Sequence, residues 1–254
     1  MSKVLLETQG VVIRFGGLTA VNQVSVKIEE GKITGLIGPN GAGKTTFFNT
    51  ISGVYTPNEG KVVFKGKEIQ GKPSYKICKE GISRTYQVIN LFNKMSVLDN
   101  VLVGMHCRLK STYLTDMFRT KKQREEEKEA EKKAHEWLQF VGLDEYANDP
   151  ASSLSYGKQR LLEIVRALAS NPELLLLDEP AAGMNTKEKA ELDELLQKIL
   201  AKGYTILIIE HDMKLVMDVC DYIYCLCEGK LLAQGSPKEI QENPAVIEAY
   251  LGGE

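Results

Sequence analysis

Polar and apolar positions alternate along the first part of the chain, in "VLLETQGVVIRFGG" and again in "VSVKIEEGKITGLIG". A period of two is the mark of half-buried strands, so these segments predict short antiparallel strands leading into a buried one, Ile33–Ile37. "GKVVFKGKEI" predicts a further hairpin. Later the pattern changes. "ELLLLDEP" and "YTILIIEH" are short, continuous apolar runs, as expected of parallel strands covered on both faces. The segment between them, "NTKEKAELDELLQKILAKG", has helical periodicity, with Asn185 as its cap, Glu188 at the third position and Gly203 as its terminator. Strand, helix and strand in that order predict an α/β fold.

The middle of the chain, about 88–168, reads as mostly helical. Ser96 with Asp99 caps a helix from about Val97 to Met105. Residues 119–135, "RTKKQREEEKEAEKKAH", read as a solvated helix face, where Glu127 repels Glu131 and Glu129 attracts Lys133. "LSYGKQRLLEIVRAL", residues 154–168, is an apolar helix pattern that begins at Ser155 and Gly157. Near the end, Ser236, Pro237 and Glu239 start a helix, and Asn243-Pro244 break it before a final "AVIEAYL".

Composition narrows this only slightly. Apolar residues are 43% and charged residues 26% of 254, ordinary for a soluble protein. The net charge of −2 gives no general attraction to nucleic acid. No apolar run nears the ~20 residues of a membrane span, and "MSKVLLETQG" has no signal-peptide core. Cys78, Cys107, Cys220, Cys225 and Cys227 have no zinc spacing and read as reduced thiols of a cytosolic protein, with Cys225 and Cys227 alternating around Leu226 in a strand pattern.

The chemistry lies in a few short stretches. "GPNGAGKTT" comprises Gly38, Pro39, Asn40, Gly41, Ala42, Gly43, Lys44, Thr45 and Thr46, and stands between the strand "ITGLI" and a helix. G-x-x-x-x-G-K-[ST] in that context is a phosphate loop: glycines let backbone N–H groups curl around phosphates. Lys44 reaches the β- and γ-phosphates, and the Thr45 hydroxyl binds Mg²⁺. Asp178, at the end of a buried strand, is placed to hold the Mg²⁺ shell. Glu179, next along, is directed at the γ-phosphate and can orient or deprotonate the attacking water. His211 ends the apolar strand "TILIIEH" at the edge where α/β sheets bind ligands, so a γ-phosphate contact is expected. Gln87, in "RTYQVINLF", is unremarkable taken alone.

Taken together, over essentially the whole chain, these motifs resemble the nucleotide-binding domain of ABC transporters. Residues 38–46 match its Walker A motif, and 174–179 its Walker B motif with the following glutamate. Gln87 matches the Q-loop, Met184 with Asn185 the D-loop region, and His211 the switch histidine. "LSYGK", residues 154–158, matches the signature motif, usually LSGGQ; Tyr156 and Lys158 depart from it, while Ser155 and Gly157 are kept. The resemblance implies a P-loop NTPase (RecA-like) core with an N-terminal antiparallel β subdomain and an inserted helical subdomain. It implies core boundaries of about 1–87 and 169–235, a helical subdomain at about 88–168 and C-terminal helices at 236–254. It further implies that Gln87 joins Thr45 and Asp178 at Mg²⁺, that Phe15 stacks on adenine, and that Ser155 and Gly157 contact the ATP of an opposing subunit.

Within the family, "GLIGPNGAGKTTFFNTISG", "GISRTYQVINLF", "LSYGKQRLLEIVRAL", "DEPAAGMN" and the tail "VIEAYLGG" resemble the LivG-type ATPases of branched-chain amino acid importers, as does the charged insertion between Gly104 and Trp137. That resemblance implies an ATPase on the inner face of the membrane, docked on integral permeases and served by a substrate-binding protein. Its ATPase partner is a second copy or a paralogue. An apolar groove around "YQVINLFNKMSVLDN" would receive the permease. The lipopolysaccharide-export ATPase shares the "GL…AV" opening and "YLG" ending, but has LSGGE in place of LSYGK; a soluble ABC ATPase, such as the iron–sulfur assembly subunit, is the non-transport alternative.

Overall fold

The computed structural model describes residues 3–108 and 121–251. The strands are β1 (Val4–Phe15), β2 (Leu18–Val24), β3 (Lys27–Glu29), β4 (Ile33–Ile37), β5 (Glu59–Phe64), β6 (Lys67–Glu68), β7 (Ile82–Arg84), β8 (Leu174–Asp178), β9 (Thr205–Ile209), β10 (Tyr222–Cys227) and β11 (Lys230–Gly235). The α-helices are α1 (Lys44–Ile51), α2 (Ser74–Glu80), α3 (Val97–Met105), α4 (Lys121–Phe140), α5 (Tyr156–Ala169), α6 (Thr186–Ala201), α7 (Met213–Val219), α8 (Pro237–Gln241) and α9 (Pro244–Leu251). They pack as two compact units, one formed by the chain up to Gln87 with the chain from Glu173 onward, the other by Val88–Pro172.

The first unit carries every described strand, in two sheets. β1 pairs antiparallel with β2, β3 and β5, and β5 folds back on β6. The second sheet runs in the order β11-β10-β4-β9-β8-β7. Its pairs are parallel except β10 with β11. Every residue of β4, β8 and β9 is buried, which explains why these segments are mostly apolar: both faces must be covered. In register, Leu36 lies opposite Ile209, and Ile209 opposite Asp178. The three strands therefore end together, and the loops that follow leave from one carboxyl edge. Phe47 and Phe48 of α1 join Leu36, Leu174, Leu176, Leu207 and Ile209 in one core.

Helix boundaries follow local hydrogen bonding. Asn185 Oδ1 accepts from the N–H groups of Lys187 and Glu188 at 2.9 and 3.0 Å, and Glu188 returns a bond to the Asn185 N–H at 2.9 Å. Ser236 and Glu239 form the same reciprocal box before α8. Ser96 accepts from Asp99 N–H and starts α3 at Val97, as its sequence predicts. β7, α2, α7 and β11 are not apparent in the pattern. β7 and α2 span only three and seven residues, too short for periodicity to register.

The second unit is helical. Val97 and Val101 of α3, Ala130, Ala134 and Leu138 of α4, and Leu162 and Val165 of α5 form its core. The charged run thus hides a buried stripe at four-residue spacing, with Lys133 bonded to Glu129 at 2.7 Å on the exposed side. Residues 119–120 of that run, much of the insertion containing it, and the two glycines of "YLGG" lie outside the described residues.

Leu176 sits fully buried at the centre of β8, so Leu176→Ala should lower the unfolding free energy by about 2–5 kcal/mol. Leu232→Ala, at an exposed position of β11, should change it by less than about 0.5 kcal/mol. Urea unfolding of both variants checks the pair, and equal losses would contradict this assignment of the core.

Candidate functional site

β4 passes into a loop, Gly38–Gly43, that only glycine can follow at two points. A Cβ on Gly38 (φ +147°) would lie 2.1 Å from the Leu226 carbonyl oxygen, and one on Gly43 (φ +94°) 2.3 Å from that of Ala20. Gly43 caps α1 without any side-chain hydrogen bond, so the first turn, Lys44-Thr45-Thr46, presents a helix N-terminus suited to an anion. Lys44 is buried, and its Nζ donates to the carbonyls of Gly38 at 2.7 Å and Pro39 at 2.9 Å. Burial lowers its pKa, while Glu179 and Asp178 oppose the shift.

Asp178 closes β8 beside Arg84, the last residue of β7. Arg84 Nη2 donates to Asp178 Oδ2 at 2.6 Å, with the two side chains 6% and 2% exposed. Arg84 Nη1 is tied to Asn49 Oδ1 and Ser52 Oγ at 2.6 and 3.0 Å, and the guanidinium lies over the Phe48 and Tyr86 rings. The second Asp178 oxygen, Oδ1, is buried with no hydrogen-bond partner.

Glu179 follows in the left-handed region, at φ +48°, a conformation uncommon for a non-glycine residue. Its N–H donates to the Ile209 carbonyl at 2.9 Å. Both carboxylate oxygens are engaged, Oε2 by Gln87 Nε2 at 2.9 Å and Oε1 by His211 Nε2 at 2.9 Å. The structure thus joins three residues separated by 92 and 32 positions in the chain.

His211 does not end the strand, as its sequence context suggests; β9 stops at Ile209. Glu210 is the cause. Its carboxylate is 3% exposed and accepts from the N–H groups of Ala181 at 2.6 Å, His211 at 3.0 Å and Asp212 at 3.4 Å. These bonds turn the backbone away from the sheet. Burial raises the Glu210 pKa, and the three N–H groups act against that rise. Asp212 then caps α7 and pairs with Lys189 at 2.7 Å, which lowers its own pKa.

Phe15 ends β1, 45% exposed, and packs edge-on against Tyr55 with ring centroids 5.2 Å apart. Ser155 and Gly157 belong to the helical unit. There Ser155 Oγ caps α5, Gly157 is buried, Tyr156 is exposed, and Lys158 Nζ lies 3.8 Å from the Tyr146 ring centroid. Arg84 and Glu210 are not among the residues expected from the motifs. The signals available for them were an arginine three places before Gln87 and the acidic residue closing an otherwise apolar run.

Residues 21–182 match the ABC transporter family. The chain belongs to that family. Residues 230–254 separately match the branched-chain amino acid ATP-binding cassette transporter family. The chain is 47% identical, over 99% of both sequences, to the high-affinity branched-chain amino acid transport ATP-binding protein BraF of Pseudomonas aeruginosa. It is 48% identical, with the same coverage, to LivG of Salmonella typhimurium, a protein of the same description. A crystal structure of an ATP-binding cassette of an ABC transporter in its ADP conformation superposes with a TM-score of 0.86 at 33% identity, covering all of both chains. The resemblance to ABC ATPases and their LivG-type group is borne out, as is the expected fold: a P-loop NTPase core with an antiparallel β subdomain and added helices. As a family member the chain is a nucleotide-binding ATPase.

Replacing Arg84 would leave Asp178 buried and uncompensated. Arg84→Ala should lower the unfolding free energy by about 3–5 kcal/mol. Denaturant titration checks this, and a loss below about 1 kcal/mol would show that the pair contributes nothing.

Proposed function

We propose that the chain is the ATP-hydrolysing subunit of an importer of branched-chain amino acids, acting through separate membrane permeases. The observation that carries this is identity of 47–48% over 99% of both chains to relatives named for that transport, joined by the C-terminal match of residues 230–254. Among the described residues no helix is long and apolar enough to cross a membrane. In this reading, as in the transporters it resembles, the subunit acts from the inner, cytoplasmic face, on permeases that a substrate-binding protein supplies.

In this reading Phe15 stacks on the adenine, and the loop Gly38, Pro39, Asn40, Gly41, Ala42, Gly43 receives the phosphates. Lys44 contributes the cation at the β- and γ-phosphates, with Thr45 and Thr46 at the helix start. The residues fit a magnesium ion, because Asp178 keeps a buried carboxylate oxygen without a partner. Thr45, Asp178 and Gln87 would hold that ion, which neutralises charge on the phosphates. Glu179, already oriented by Gln87 and His211, accepts a proton from the water whose oxygen bonds to the γ-phosphorus. The bond from that phosphorus to the bridging oxygen breaks, releasing ADP and phosphate. His211 contributes at the γ-phosphate.

ATPase subunits of this kind dimerise; a related cassette, 25% identical with a TM-score of 0.76, is dimeric in a post-hydrolysis state with ADP and phosphate bound. Here Ser155 and Gly157 start a helix whose positive end would meet the ATP of the second subunit, a copy of this chain or a paralogue.

Glu179→Gln keeps the shape but loses the base, so turnover should fall by about 10²- to 10⁴-fold while ATP still binds. Phosphate release and calorimetry measure the two, and near-normal turnover would remove Glu179 from the base role. Deleting the gene should abolish high-affinity uptake of radiolabelled leucine, isoleucine and valine. Unchanged uptake with a defect in outer-membrane lipid would instead assign the chain to lipopolysaccharide export, and unchanged transport of every solute to a soluble ABC ATPase.

A further inference from the structure

Gly38 is the residue at which the chain leaves β4 for the phosphate loop, and it is held on both sides. Its carbonyl accepts from Lys44 Nζ at 2.7 Å. Its N–H donates to Tyr250 Oη at 2.8 Å, across 212 residues of chain. Tyr250 lies on α9, within the C-terminal segment that matches a different family description from the ATPase body. Gly38 has little freedom to find another arrangement, since its backbone lies against Leu226 so closely that no Cβ would fit.

The Tyr250 side chain is half-buried. It lines an apolar groove with Met213 and Met217 of α7, Ile240 of α8 and Val246 of α9. α7 begins two residues after His211, so the C-terminal helix and the element that follows the histidine line the same groove. Burial pushes the Tyr250 hydroxyl up to about 12; it therefore stays neutral across the working range of pH and keeps its bond to the Gly38 N–H. Without that hydroxyl the N–H would lose its acceptor at a part-buried site, and one of the two hydrogen bonds that fix the Gly38 backbone ahead of Lys44 would be gone.

We propose that Tyr250 is a positioning residue for nucleotide binding, setting the phosphate loop and Lys44 through the backbone of Gly38. The inference rests on the ATPase reading above. It gives the C-terminal helix a part in nucleotide affinity that the motifs of the ATPase body do not contain.

The test uses the full chain and Tyr250→Phe, which keeps the ring in its groove and removes only the oxygen. The KM for ATP should rise about tenfold, equivalent to about 1.4 kcal/mol, while kcat falls by less than about threefold. Deuterium exchange at the Gly38 amide should accelerate, with the thermal midpoint nearly unchanged. Val246→Ala serves as the comparison, since it loosens the same helix but spares the hydroxyl. It should lower the thermal midpoint and leave the KM within about threefold. A Tyr250→Phe chain with parental KM and parental Gly38 exchange would overturn the proposal. So would equal rises in KM for both variants in step with lost stability. A parent chain that neither binds nor hydrolyses ATP would overturn the ATPase reading itself, a result separate from either of these.

Discussion

The register of three buried parallel strands is the constraint on which the site depends. Leu36, Ile209 and Asp178 lie side by side across β4, β9 and β8, so three loops distant in the chain leave the sheet at one level. One supplies Gly38–Gly43 and Lys44, the next Glu179, and the third Glu210 and His211. Ligands of open α/β sheets bind outside the carboxyl ends of strands for this reason: side chains and backbone N–H groups from unrelated segments converge there. A slip of one residue in β9 would turn its alternate side chains to the opposite face and separate Glu179 from the Ile209 carbonyl it now meets.

The second requirement is the management of buried charge. Lys44, Asp178, Glu210 and Arg84 all lie where water is scarce, and an unpaired ion there is costly. All four are answered by specific partners: Arg84 and Asp178 by each other, Lys44 by two carbonyls, and Glu210 by three N–H groups. Two of their atoms, Arg84 Nε and Asp178 Oδ1, are buried without a hydrogen-bond partner. Structure pays for rigidity at Glu210, whose bonds tie the Ala181 turn to the His211 turn, and leaves an open valence at Asp178 where a cation can be accommodated.

Glu179 shows how backbone and side chain combine. Its left-handed conformation is held by the hydrogen bond to Ile209 on one side and by its carboxylate contacts to Gln87 and His211 on the other. A conformation of that kind persists only where the surroundings over-determine it. The pair of neighbours also sets the direction of the carboxylate, which neither the strand nor the turn alone would do.

Much of this was legible in the sequence because it is local. Four apolar residues in a row, at Leu174–Leu177 and Ile206–Ile209, define covered strands; Asn185 with Glu188 and Ser236 with Glu239 define helix starts; glycines at 38 and 43 ahead of Lys44 define a phosphate loop. Each signal arises from neighbours a few positions apart, where chain geometry limits the outcomes. What tertiary structure alone decided is long-range: the ion pair of Arg84 with Asp178, the meeting of Gln87 and His211 on one carboxylate, the bend that Glu210 imposes beyond β9, and the reach of Tyr250 back to Gly38. Those contacts span tens to hundreds of residues and depend on strand register and on which buried polar groups find partners. Hydrophobic periodicity carries no record of either, since it reports only which side of an element faces the core.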